Sequence, residues 1–166
     1  MLRREVQEAE RWGDDVLQPA ARRIEVWELR RDRRMVATQL ADARRIQGAW
    51  LLANPRLTAA PSGPILGWYA RLIGATDENV RSDLGGLAAM LDRIAWIAAG
   101  VLGGEQPNAA DFQIASSLSL LMTVGELRPA IERRPAGRLA SSLVPEYPGG
   151  SAGVLPADWL REARLA

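Results

Sequence analysis

The chain has 166 residues, 48% of them apolar, with 21 basic and 20 acidic side chains and a formal charge of +1. That make-up suits a single globular domain, 1–166, able to bury a real core, and the near-balance of charge gives no field that would favour nucleic acid as a partner. Every basic side chain is arginine, and there is no lysine, histidine or cysteine; this excludes Schiff-base chemistry, Ser-His and Cys-His relays, disulfides, iron–sulfur clusters, and thiolate or imidazole metal sites.

The amino end opens on an amphipathic pattern over 3–34, with Val6, Ala9, Gly13, Val16, Ala20, Ile24 and Trp27 spaced by three and four residues along one helical face. Pro19 lies inside it, so a kink or break is expected near Gln18. A second helix is expected over 35–53, with Val36, Leu40, Ala43, Ile46 and Trp50 inward, ended by Asn54-Pro55. Residues 58–64, rich in Pro, Ser and Gly, read as a loop, and 65–73 as a short apolar helix that Gly74 stops.

From Thr76 the pattern is better specified. Thr76 is placed to cap, Asp77 and Glu78 fall at the positive helix end, and Val80, Leu84, Leu87, Leu91, Ile94, Ala98 and Val101 form a stripe ended by Gly103-Gly104. Asn108 and Asp111 then have the spacing of a capping box. The helix they open has no polar face, only hydroxyls able to bond their own backbone, so it is expected to be central and buried. Pro129 and Pro135 divide the next stretch into short helices, 130–134 and 136–143. A Pro- and Gly-rich segment, 145–156, is expected to wrap the surface before a last short helix over 157–164, docked by Trp159. No stretch alternates with a strand's period, so the fold class is all-α.

The uncharged stretches 57–70 and 112–125 are 14 residues each, short of the roughly 20 needed to span a bilayer. The amino end has charges with no apolar run behind them, so neither a secretory signal nor a membrane association is expected, and the chain reads as cytoplasmic.

The run Asn108-Ala109-Ala110-Asp111-Phe112-Gln113-Ile114-Ala115-Ser116-Ser117-Leu118, preceded by Gly103-Gly104-Glu105-Gln106-Pro107, resembles the capping box and central helix of the helical carboxyl-terminal domain of glutathione transferases. The opening helix, with Glu10-Arg11-Trp12-Gly13, is similar to the first helix of that domain. Two departures stand out: family members usually carry Ser or Thr where this chain has Asn108, and most would not need the extra segment 35–73. In that family a thioredoxin-like amino-terminal domain binds glutathione and activates its thiol through a Tyr, Ser or Cys, with a cis-proline holding the peptide backbone. Here the helical pattern begins within the first few residues and that domain is absent from the sequence.

The resemblance therefore implies a domain that binds a hydrophobic small molecule, forms a homodimer, and reaches glutathione as co-substrate only through a thioredoxin-like domain or subunit. It implies no catalytic residue of its own. The substrate-contact candidates are Trp12, Arg23, Trp27 and Arg30 on the opening helix, whose exposed face borders the acceptor pocket in the family. The alternative is a non-catalytic dimerisation or scaffold module.

Other motifs have simpler readings. Asn108 and Asp111 are assigned to capping, and the basic knot Arg30-Arg31-Asp32-Arg33-Arg34 to a solvated helix end. Glu5/Glu8 and Glu25/Glu28 have the i, i+3 spacing of di-metal bundles, but those sites add histidines and this chain has none, so no metal is expected. Tyr69 reads as a packed tyrosine, and Gly85-Gly86 and Gly103-Gly104 lack the strand context of a phosphate loop.

Overall fold

The computed structural model describes residues 2–32, 35–36, 55–98, 100–104, 106–144, 150–151 and 153–165. All regular structure among them is helical: α1 (Leu2–Trp12), a π-helical turn (Gly13–Leu17), α2 (Gln18–Arg31), α3 (Pro55–Leu72), α4 (Asp77–Ala98), α5 (Ala109–Leu121), α6 (Arg128–Glu132), α7 (Pro135–Leu143) and α8 (Ala157–Glu162). The all-α expectation holds.

Pro19 neither breaks the opening helix nor leaves its phase intact. Proline has no amide hydrogen, and its ring crowds the carbonyl four residues back. The chain responds with a wider turn in which the Gln18 amide donates to the Gly13 carbonyl, five residues earlier, and then continues as α2 to Arg31. A π-turn takes up one extra residue, so the inward face advances by one position. Leu17 is fully buried, whereas Val16, expected inward from strict α-periodicity, is 39% exposed.

Residues 37–54 lie outside the described residues, and with them most of the helix expected over 35–53, Trp50 included. Met35 and Val36 are helical and buried; with Leu29 they form a small satellite cluster against which Leu66 packs. The loop expected over 58–64 is instead part of α3, which runs from Pro55 through Pro61 and Pro64. Proline's fixed φ of about −65° is a helical value, and Pro55 opens the helix where no donor is needed. Each internal proline therefore removes a backbone hydrogen bond without forcing the chain out of the helix.

Gly74 stops α3 as expected, with φ +70°. Its neighbours complete a Schellman end: the Ala75 amide donates to Ala70 O at 2.8 Å and the Gly74 amide to Arg71 O at 3.3 Å, while Ala70 and Ala75 are both buried. Thr76 then caps α4, its hydroxyl oxygen accepting from the Asn79 amide at 3.2 Å. The expected stripe is buried at Val80, Leu84, Leu87, Leu91 and Ile94, with Ile97 joining it.

α5 is the central helix, packed by α1, the π-turn, α2 and α7. Ile114, Leu118 and Leu121 are in the core, and the Ser117 hydroxyl donates to Gln113 O at 3.0 Å. One part of the expectation fails: Phe112, in the first turn, is 50% exposed, and Ser116, four residues on along the same side of the helix, is exposed as well. α4 packs against α2, α7 and α8.

The segment after α7 departs from the expected surface course. Residues 145–149 and 152 lie outside the described residues, but Ser151 and Leu155 are buried, and the Ser151 amide donates to Thr123 O at 2.9 Å. The segment goes inward there because its backbone donors find acceptors on the turn after α5. α8 docks as expected through Trp159, whose ring centroid lies 5.4 Å from that of Trp27 with the planes tilted by 46°.

Candidate functional site

A cleft of about 600 Å³ opens between α1 and the carboxyl-terminal half of α4. Glu5, Glu8 and Ala9 form one wall; Arg93, Trp96 and Ile97 form the other, and Gly100 and Val101 close the end. This volume falls in the range of small-molecule sites. Its apolar parts come from Ala9, Ile97, Val101 and the Trp96 ring, and its rim is charged.

Trp96 is the most telling of these residues. It lies off the core stripe of α4, between Ile94 and Ala98, and is 81% exposed. Arg93, three residues earlier, directs its guanidinium over the Trp12 ring at 4.9 Å, while the Glu8 carboxylate accepts from Arg4 at 2.9 Å. The cleft thus offers an aromatic plate, carboxylates and a guanidinium, but neither thiol nor imidazole. It can hold and orient a ligand; it carries no nucleophile suited to thiol or acyl chemistry.

The four contact candidates from the opening helix do not come together there. Trp12 is buried behind Arg93 and reaches the cleft only through that side chain. Trp27 is buried, its indole N–H donates to Asp77 at 2.8 Å, and Arg31 stacks on its ring at 3.6 Å. Arg23 makes a two-pronged pair with Asp83, both contacts at 2.7 Å. That pairing also raises the Arg23 pKa, with the hydrogen bond to Asp83 the largest cause. Trp27 and Arg23 therefore join α2 to α4, and Arg30 is solvent-exposed on α2. Tyr69 is half-buried and packs against the core.

No family model, curated protein or solved structure matches the chain. Its own chemistry is therefore the ground for any functional reading.

Sequence reasoning missed the α4 wall of the cleft. The available signal was a tryptophan standing opposite a well-formed apolar stripe, which core packing does not explain. It also read Glu28 only for its spacing from Glu25, although Glu28 shares the inward face with Ile24. The structure buries Glu28 completely, with no hydrogen-bond partner on either carboxylate oxygen. Burial, then the charge of Glu126, pushes its pKa up from 4.5 to about 7; the Ser151 hydroxyl and Val154 amide lie near enough to favour the charged form but outside hydrogen-bond geometry.

Proposed function

We propose that the chain is a helical binding domain of the glutathione transferase type, which holds a hydrophobic small molecule in the α1–α4 cleft and depends on a thioredoxin-like partner for conjugation chemistry. The observation that carries this reading is the cleft itself, with an exposed tryptophan on one wall and apolar contributions from Ala9, Ile97 and Val101. The formed capping box and the central position of α5 support the likeness to the family's helical domain. In the complete assembly the partner would hold glutathione and lower its thiol pKa, and the thiolate would attack the electrophile that the cleft positions. A partner-dependent domain also needs somewhere to dock.

The decisive experiment measures conjugation of glutathione to a general electrophile by the chain alone and with a thioredoxin-like protein, with Trp fluorescence followed in parallel. Turnover only with the added protein, and quenching by apolar ligands, is the expected result. No quenching by apolar ligands, together with no gain in turnover, overturns the reading.

A second reading, a dimerisation or scaffold module, is favoured by one feature. Ile65, Trp68 and Leu72 form an exposed i, i+3, i+7 stripe on α3, with Trp68 60% exposed, while Leu66, Tyr69 and Ala70 on the same helix face inward. Light scattering separates the two. A dimer that Trp68→Glu dissolves without changing ligand quenching assigns α3 to self-association and leaves the cleft as the binding site.

A further inference from the structure

The α1–α4 cleft presents two charges that the chain leaves without partners. Glu5 on α1 and Arg93 on α4 both line it, on opposite walls. Among the described residues neither makes an ion pair or a side-chain hydrogen bond, so they do not pair with one another. Their immediate neighbours do find partners. Glu8, one turn on from Glu5, accepts from Arg4 at 2.9 Å, and Asp92, beside Arg93, accepts from Arg134 at 2.6 Å.

What holds Arg93 is a ring. Its guanidinium stands 4.9 Å from the centroid of Trp12, which is buried. A cation over an aromatic face is attracted by the ring quadrupole, and its N–H edge stays available to an acceptor. Glu5 precedes Trp12 by about two helical turns, on the order of 10 Å along the axis. The cation and the carboxylate are therefore offered apart. Trp96, one turn beyond Arg93 and 81% exposed, supplies an aromatic plate in the same lining.

A ligand with a single charge meets one attractive and one repulsive group here, because Glu8 is offset by Arg4 and leaves Glu5 and Arg93 in balance. A neutral apolar ligand uses the Trp96 plate alone. A ligand with a cation at one end and an anion at the other answers both groups. We propose that the cleft selects an aromatic zwitterion, its flat body against Trp96, its ammonium at Glu5 and its carboxylate at the edge of the Arg93 guanidinium. This selectivity rests on the cleft being the ligand site, as proposed above, and adds to it the charges that the ligand carries.

The test titrates the full chain with four para-substituted biphenyls and follows tryptophan fluorescence. One carries an aminomethyl group and a carboxylate at opposite ends; in the others methyl replaces the carboxylate, the aminomethyl group, or both. The zwitterion is expected to bind about tenfold more tightly than the dimethyl compound, about threefold from each partly exposed contact, and the singly charged compounds no more tightly than the dimethyl one. Raising the salt to about 0.5 M should erase most of that advantage. In Glu5→Gln the zwitterion should lose its lead over the carboxylate-only compound, and in Arg93→Gln its lead over the aminomethyl-only compound, with the dimethyl compound unmoved in both. The wild-type series decides the matter even if a variant fails to fold. Four equal affinities, or a singly charged compound that binds more tightly than the zwitterion, overturn the charge selectivity and leave the cleft as a ligand site. Binding of none of the four overturns both. A zwitterion preference unchanged in both variants overturns the assignment to Glu5 and Arg93.

Discussion

Asn108 and Asp111 cap one helix and close one loop with the four polar atoms of their side chains, two for each task. Asn108 Oδ1 accepts from the Asp111 amide at 3.2 Å and Asp111 Oδ2 from the Asn108 amide at 2.8 Å. Asp111 Oδ1 also takes the Gly103 amide at 2.7 Å, and Asn108 Nδ2 donates to Val101 O at 2.8 Å. Asp111 is fully buried, so Asp111→Ala strands donors that water reaches poorly. The expected loss is about 2–4 kcal/mol, against about 1–2 for Asn108→Ala, read from urea midpoints. A loss below about 0.5 kcal/mol for Asp111→Ala would mean that the box does not organise this end of the bundle.

The π-turn makes a prediction from two neighbours. Leu17→Ala should cost about 3 kcal/mol, because a fully buried leucine leaves a cavity, whereas Val16→Ala should stay within about 0.5. Uninterrupted α-geometry would rank Val16 as the costlier of the two. Thermal denaturation of both variants distinguishes these orders.

Arg23 and Trp96 should separate stability from binding. Removing the guanidinium in Arg23→Met leaves Asp83, whose side chain is only 11% exposed, without its partner; a cost of about 2 kcal/mol is expected, between the values for exposed and fully buried pairs. Quenching by an apolar ligand should be unchanged. Trp96→Ala should do the reverse, weakening an apolar probe about tenfold while leaving the melting temperature nearly constant. Equal binding by both variants would remove the ligand from the α1–α4 cleft.

Stability should fall as pH rises through the weakly acidic range. Glu28 has a higher pKa folded than unfolded, so the native state binds more protons between 4.5 and about 7. The slope of unfolding free energy against pH is therefore negative over that interval and flat with respect to this group above it. Urea midpoints should decline from pH 5 to pH 7, on top of any opposing contribution from salt-bridged carboxylates, and Glu28→Gln should flatten that decline. A midpoint profile identical in the two proteins contradicts the assignment.

Much of the fold was legible where local chemistry and periodicity agreed. The α4 stripe, its Thr76 cap, the Gly74 stop and the Asn108–Asp111 box each combine a backbone requirement with the residue type that meets it. The phase of the opening helix was not legible, because Pro19 signals a disturbance but the response, a turn that absorbs one residue, depends on tertiary packing of Leu17. α3 was hidden by its prolines: composition marks Pro61 and Pro64 as loop residues, yet their φ is compatible with a helix. The cleft joins Glu5 to Trp96, far apart in sequence and outside either core stripe, so no local pattern could pair them.

The wider turn at Gly13–Leu17 has a geometric consequence for the cleft. An α-helix rotates by about 100° per residue. Winding all the residues of that turn as ordinary α-helix would swivel α1 by about that angle relative to α2. Glu5, Glu8 and Ala9 would then be carried away from Arg93, Trp96 and Ile97. The wide turn upstream of Pro19, by absorbing a surplus residue, is what keeps α1 aimed at its opposite wall, so the winding of this stretch, more than the identity of its side chains, sets whether the two walls meet.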